Sequence, residues 1–409
     1  MGNVVSNAGR GSGYLIHWCI AIIVGMLLMR LMSLGFYPLY DTTEARYGEI
    51  ARIMVETGNL VTPQFDYNVP FWGKPPLHTW LSAAGFTLFG VNEFAGRLPH
   101  FICGLFTCLL VYRFARHARG TLAAIFSVLV LSSSIGFIIA IGMVMTDSAM
   151  LLAYTLAMVS FWCCLEEGDK SVNGHLFFVA LALGMLVKGP VVVVLIGISL
   201  FIWSVWQKNL IKSLKCLPWI TGIMLFLLLT LPWYVMAEIR TPGFLEYFVV
   251  GEHINRFLEP GWQGDLYGTA HDKPRGIIWL FWVACAFPWS FWLIGLCFNK
   301  TRRGLKSEKV KTTPLNRYLV SWMVAPLLLF TFAGNILPIY VLPGFSAMAV
   351  LVAINFKLNG KLVLTAAFSL FVIALALIIV VTGSFKKSSE IELLSKHRAG
   401  IEEMPLYYW

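Results

Sequence analysis

The sequence predicts an all-α, polytopic integral membrane protein, and three observations carry that prediction. Long apolar runs recur along the whole chain; only 13% of its 409 residues are charged against 58% apolar; and the density of positive charge alternates from one connecting segment to the next. A soluble domain carries about 25% charged residues, so lipid is the main solvent here. A helix needs about 20 apolar residues to cross the hydrocarbon core. The runs place about eleven spans, near 14–36, 98–112, 121–140, 148–165, 175–187, 190–206, 217–237, 276–298, 318–334, 338–356 and 362–383. Residues 1–383 then form one transmembrane domain with large polar segments at 37–97 and 238–275, and 384–409 is a short polar tail.

The first run, Tyr14–Phe36, is too long for the apolar region of a signal peptide and has no small-residue cleavage site, so it reads as a retained span. The polar island 37–97 follows it. Spans two and three are separated by the cationic linker Arg113, Arg116 and Arg119; Asp147 stands at the start of the fourth; Lys188 stands where the fifth and sixth meet. Alternating the connections with the N-terminus inside puts seventeen Lys and Arg inside and nine outside before the tail. That bias is the positive-inside signature, and it places the two large polar segments on the outer face. The net charge of +10 is thereby explained by topology and contact with anionic lipid, with no nucleic-acid partner implied. The eight cysteines all lie in or beside apolar runs without zinc or Cys-x-x-Cys spacing. They read as small apolar core residues without disulfides.

Chemistry-bearing residues concentrate in the outer segments. Asp41, Glu44, Arg46 and Glu49 fall within nine residues; with Thr42 or Thr43 as a cap they start a short helix. A carboxylate there suits a general base or a metal ligand, and an arginine fork suits a phosphate; an interfacial amphipathic helix would look the same. Lys74 precedes Pro75-Pro76, a stiff backbone that presents an ammonium. Asp147 and Lys188 are ionisable groups at membrane depth, functional candidates by default. The segment 251–276 offers Glu252, His253, Arg256, His271 and Lys273, and Tyr340 lies in a proline-bounded re-entry at 335–343. No Walker, Gly-x-Gly-x-x-Gly or Gly-x-Ser-x-Gly motif occurs, which argues against soluble nucleotide chemistry.

Taken in order, TEARYGEIAR, KPPL, FGVNEFAGRLP, the Thr146-Asp147 pair, LVKGP, GEHINRF and IYVLP resemble the bacterial membrane glycosyltransferases of the GT-C class. The resemblance is to the lipid A aminoarabinose transferases and the protein O-mannosyltransferases, and it runs from about Tyr37 to Pro343. It implies a bacterial inner-membrane enzyme with a cytoplasmic N-terminus and a periplasmic active site. It also implies an inverting transfer of a sugar from a polyprenyl-phosphate donor to lipid A, another glycolipid or a protein. By motif, Asp41, Glu44 and Asp147 are the catalytic acids, Arg46, Lys74, Lys188 and Arg256 bind the donor phosphate, and Glu252, His253 and Tyr340 line the cavity. Aminoarabinose transferases usually read Asp-Glu-Thr-Arg-Tyr where this chain reads Thr43-Glu44-Ala45-Arg46-Tyr47, with Asp41 two residues earlier. They also tend to carry, before Lys-Pro-Pro, a glutamate associated with a metal ion; here that position is Gly73, which counts against a divalent metal, and no other cofactor is implied. A flippase that moves lipid-linked sugar without making a bond is the competing reading, although no repeated halves are visible. A catalytically inactive assembly partner is a third.

Overall fold

In the computed structural model, residues 3–39, 42–167, 172–267, 273–302, 313–356 and 358–376 are described. Asp41, His271 and the tail at 384–409 lie outside them. The chain is a helical bundle. Its helices are α1 (Asn3–Ser33), α2 (Thr42–Thr57), α3 (Leu77–Phe89), α4 (Glu93–Arg119), α5 (Thr121–Ser132), α6 (Ile135–Ala140) and α7 (Thr146–Glu167). There follow α8 (Val172–Lys188), α9 (Pro190–Gln207), α10 (Leu210–Lys215), α11 (Trp219–Arg240), α12 (Phe244–Glu246) and α13 (Arg256–Leu258), the last two flanking a π-helical stretch, Tyr247–Asn255. Then come α14 (Ile278–Cys285), α15 (Trp289–Arg302), α16 (Pro314–Thr331), a 3-10 turn over Pro338–Gly344, α17 (Phe345–Asn355) and α18 (Gly360–Ala376).

Each of the eleven apolar segments carries helix. Six described helices are long and apolar enough to cross a membrane: Tyr14–Ser33, Glu93–Arg119, Thr146–Glu166, Pro190–Gln207, Trp219–Arg240 and Pro338–Asn355. The segment 276–298 is a bent pair, α14 and α15, meeting at 113°. Pro288 sits in that break, where it has no N–H to continue the helical ladder. The segment 121–140 is likewise interrupted between α5 and α6. Apolar composition marks these stretches, but it does not reveal where the backbone breaks.

Local chemistry sets the boundaries that matter for the site. Asn92 caps α4, its side chain accepting from the Ala95 amide at 2.9 Å. Helix α8 ends at Lys188 and Pro190 opens α9, where a missing N–H costs nothing. Between them Gly189 has φ +86°, and a Cβ there would stand 2.5 Å from the Phe248 ring, so the turn requires glycine. Two features were not legible in the pattern: α2 runs for 16 residues rather than one short turn, and Gln64–Asp66 pairs antiparallel with Val69–Pro70 in a small hairpin. The core is aromatic. Phe161, Trp162, Trp203, Tyr318 and Trp322 are all buried against one another, and the Tyr318 hydroxyl donates to the Met158 carbonyl at 2.7 Å, as a buried phenol must.

Candidate active site

Five separate segments meet at one end of the bundle. The loop before α3 brings Lys74, the first turn of α7 brings Asp147, and α8 ends in Lys188. The π-helical stretch and α13 bring Glu252, His253 and Arg256, and the segment after α16 brings Asn335 and Tyr340. They surround a cavity of about 410 Å³. Its lining combines the ionisable side chains of Lys74, Lys188, Glu252, His253 and Arg256 with a mostly apolar surface that includes Val191, Val194, Ile254, Phe257 and Phe330.

The charged groups are organised around two carboxylates. Glu252 accepts from Lys74 Nζ at 2.8 Å and from Arg256 Nη1 at 3.0 Å to each oxygen, with the Tyr247 hydroxyl at 3.4 Å. Its side chain is 2% exposed. Burial alone would raise the Glu252 carboxyl, but Lys74 and Arg256 outweigh that and hold it below the usual range. Burial lowers the Lys74 ammonium, since its one anion is shared with the neighbouring Arg256 cation. Arg256 also reaches Asp265 at 3.4 Å. The second pair is Lys188 and Asp147, 2.7 Å apart and both buried; Lys188 Nζ also lies 4.6 Å over the Tyr340 ring, a cation–π contact. Asn335 ties the segments together: its amide donates to the Arg256 and Glu259 carbonyls at 2.6 and 2.9 Å.

His253 is a scaffold residue in this arrangement. Its Nδ1 faces the Phe248 carbonyl at 2.7 Å and its Nε2 faces the Lys188 carbonyl at 3.2 Å. Burial lowers its pKa, and in its neutral form the ring donates to only one of these two carbonyls. With both nitrogens directed at carbonyls, it is poorly set to ligate a metal. At position 73 the Phe71 ring fills the space beside the glycine, 2.8 Å from where a Cβ would be. No group of three or more His, Cys, Asp or Glu able to hold a metal occurs among the described residues.

Of the residues singled out from sequence, Lys74, Lys188, Glu252, His253, Arg256 and Tyr340 line the cavity, and Asp147 joins them through Lys188. Arg46 is half-buried on α2 and is not part of the cavity wall. Glu44 is elsewhere. It is fully buried against Arg97, which donates to its two oxygens at 2.8 and 3.0 Å, and it accepts from the Val144 amide at 3.0 Å. A buried carboxylate satisfied in this way is held in place, whereas the resemblance implied a catalytic acid at this position. Asp41 lies outside the described residues. Arg97, Asn335 and Asp265 were missed; for Arg97 the signal was present, an arginine inside the apolar run FAGRLP.

A protein-family model described as dolichyl-phosphate-mannose-protein mannosyltransferase matches residues 20–248, more than half of the chain. The chain belongs to this mannosyltransferase family. Similar proteins include the undecaprenyl phosphate-α-4-amino-4-deoxy-L-arabinose arabinosyl transferases of Aeromonas hydrophila, 29% identical over 345 residues covering 83% of this chain and 60% of the relative, and of Yersinia pestis, 31% identical over 381 residues covering 87% and 64%. The chain thus spans about three fifths of the length of such relatives. Among solved structures, ArnT from Cupriavidus metallidurans bound to undecaprenyl phosphate superposes with TM-score 0.72 at 22% identity, covering 88% of this chain and 63% of that one. The archaeal oligosaccharyltransferase AglB from Archaeoglobus fulgidus does so with TM-score 0.51 at 13% identity, covering 90% and 56%. The fold is therefore that of the GT-C membrane glycosyltransferases.

Proposed function

We propose that this protein is a glycosyltransferase that moves a sugar from a polyprenyl-phosphate donor to lipid A, another glycolipid or a protein at the outer face of a bacterial inner membrane. The observation that carries the reading is the mixed lining of the cavity. Lys74, Arg256 and Lys188 share it with a mostly apolar surface, which suits a phosphate attached to a long hydrocarbon. The named activity of the aminoarabinose transferases supports this donor class. Orientation rests on the charge asymmetry of the connecting segments, and the segments assigned outward are the ones that meet here.

In the reaction, the acceptor oxygen attacks the anomeric carbon from the face opposite the carrier phosphate. The bond from that carbon to the phosphate oxygen breaks, its electron pair stays on the phosphate, and the configuration inverts. Lys74, Arg256 and Lys188 neutralise the charge that grows on the leaving phosphate. If the acceptor is a hydroxyl, Asp147, held 2.7 Å from Lys188 Nζ, takes its proton. If the acceptor is a phosphate, it is already ionised and no base is needed. The scheme is written with the described residues of this chain alone.

The test is mass spectrometry of envelope lipids and glycans from a deletion strain complemented with wild type or Asp147→Asn. Loss of one sugar from one glycan or lipid, restored by wild type alone, supports transfer and gives the sugar class. Accumulation of unused lipid-linked sugar together with full complementation by Asp147→Asn overturns the scheme in favour of transport.

A further inference from the structure

Arg97 makes five hydrogen bonds through its guanidinium, and it stands outside the cavity. It is fully buried in α4. Besides gripping both Glu44 oxygens, it donates from Nη1 to the Leu34 and Tyr37 carbonyls at 2.7 and 2.8 Å and from Nη2 to the Pro38 carbonyl at 2.8 Å. Those carbonyls follow the end of α1, where no helical donor reaches them. Its guanidinium also stacks 4.0 Å from the Tyr37 ring. One planar fork therefore ties the end of α1 and the start of α2 to α4. Lysine, a point donor, has no geometry for five such bonds.

The same cluster grips the stretch that delivers Asp147. Glu44 takes the Val144 amide, the Tyr37 hydroxyl donates to the Gly142 carbonyl at 3.4 Å, and Arg30 Nη2 donates to the Ile139 carbonyl at 3.0 Å while its Nη1 holds the Tyr37 hydroxyl at 2.8 Å. Gly142 permits this approach, since a Cβ there would come within 1.9 Å of the Arg30 Nε. Residues 139–140 close α6, and 141–145 are turns leading into α7 just before Asp147. The helical ladder gives way to turn bonds such as the Met143 amide on the Ala140 carbonyl at 3.3 Å, and side chains from α1, its following loop and α2 hold the Ile139 and Gly142 carbonyls and the Val144 amide.

We infer that Glu44 and Arg97 form a positioning brace that sets the place of Asp147 through the 139–144 backbone, and that Glu44 itself does not touch substrate. The inference rests on the role proposed for Asp147, but its first readout is independent of transfer. In Glu44→Gln, hydrogen exchange of the Val144 amide and its neighbours over 139–147 should accelerate about 10- to 100-fold, the value of a lost bond to a charged group. Exchange in the Glu252–Arg256 stretch should not change. Sugar transfer from a polyprenyl-phosphate-linked donor should lose on the order of 10²-fold in kcat, the effect of a small displacement of a reacting group, with donor KM nearly unchanged. Tyr37→Phe, which keeps the ion pair and removes only the hydroxyl contacts, is the gentler variant should Glu44→Gln fail to fold, and it should loosen 139–144 in the same sense. A rate loss in Glu44→Gln with unaltered exchange over 139–147 overturns the brace and returns Glu44 to catalysis. Accelerated exchange in a protein whose wild type transfers no sugar supports the brace and refutes the proposed function.

Discussion

Replacing Lys74 by alanine should nearly abolish sugar transfer while sparing the fold, and the structure sets both magnitudes. In the free protein the ammonium lies 2.8 Å from one Glu252 oxygen. On the proposed reaction a donor phosphate oxygen takes up the same donor, and its charge grows as the glycosidic bond breaks. Removing one such preorganised donor costs about 10²–10³ in rate, or roughly 3–4 kcal/mol. Stability should suffer less. Deleting one partner of a buried ion pair costs about 3–5 kcal/mol when the other charge is left alone. Glu252, however, keeps both Arg256 contacts at 3.0 Å and the Tyr247 hydroxyl, so the loss should stay near 1–3 kcal/mol. The assay is single-turnover transfer from an undecaprenyl-phosphate-linked sugar in detergent, beside thermal unfolding of the same preparation. Lys74→Arg keeps the charge and should recover part of the rate. Transfer by Lys74→Ala within about threefold of wild type would refute the role of Lys74 in charge stabilisation. A fully unfolded variant would refute the claim that Arg256 suffices for Glu252.

Other expectations follow from the same geometry. Gly189→Ala places a side chain at φ +86° and against Phe248; strained backbone of this kind costs on the order of 1–3 kcal/mol, and the melting temperature should fall with the Lys188–His253 contact disturbed. Unfolding should also depend on pH through His253. Burial lowers its pKa in the fold, so below the unfolded value near 6.5 only the unfolded chain takes the proton. Stability should be flat above that pH and decline as pH falls below it, and His253→Gln should remove this part of the decline. Glu252, whose folded pKa is depressed, contributes stability above the ordinary carboxylate range and loses it on further acidification, so Glu252→Gln should flatten the most acidic limb of a melting curve series.

The residues that line the cavity were readable because each breaks a local rule. A lysine before two prolines, an aspartate at the head of an apolar run and a lysine between two spans are costly unless something uses them. The bundle was readable from the apolar runs for the same physical reason. What sequence does not disclose is pairing. Nothing in TEARYGEIAR distinguishes Glu44, locked on Arg97 some 53 positions away, from an acid facing substrate, because both require only a carboxylate near a membrane surface. The π-helical turn that brings Glu252, His253 and Arg256 to the cavity also has no sequence period of its own. The breaks at α5–α6 and at α14–α15 were not legible either, because apolar composition continues through a broken backbone.

The pairing also shapes how a phosphate can enter. Lys74 and Arg256 are spent on Glu252, Arg256 further on Asp265, and Lys188 on Asp147, so an arriving anion exchanges partners rather than filling a gap. On the proposed function a phosphodiester donor would bring one negative charge to that exchange. As the sugar departed, the carrier phosphate would become a monoester and gain a second. Cations already oriented by their carboxylates would then interact more strongly with the transition state than with the bound donor, and differential binding of that kind is what accelerates a reaction. The same carboxylates would weaken donor binding while holding the cations still, so the proposed reaction keeps its strongest interaction for the moment the bond breaks.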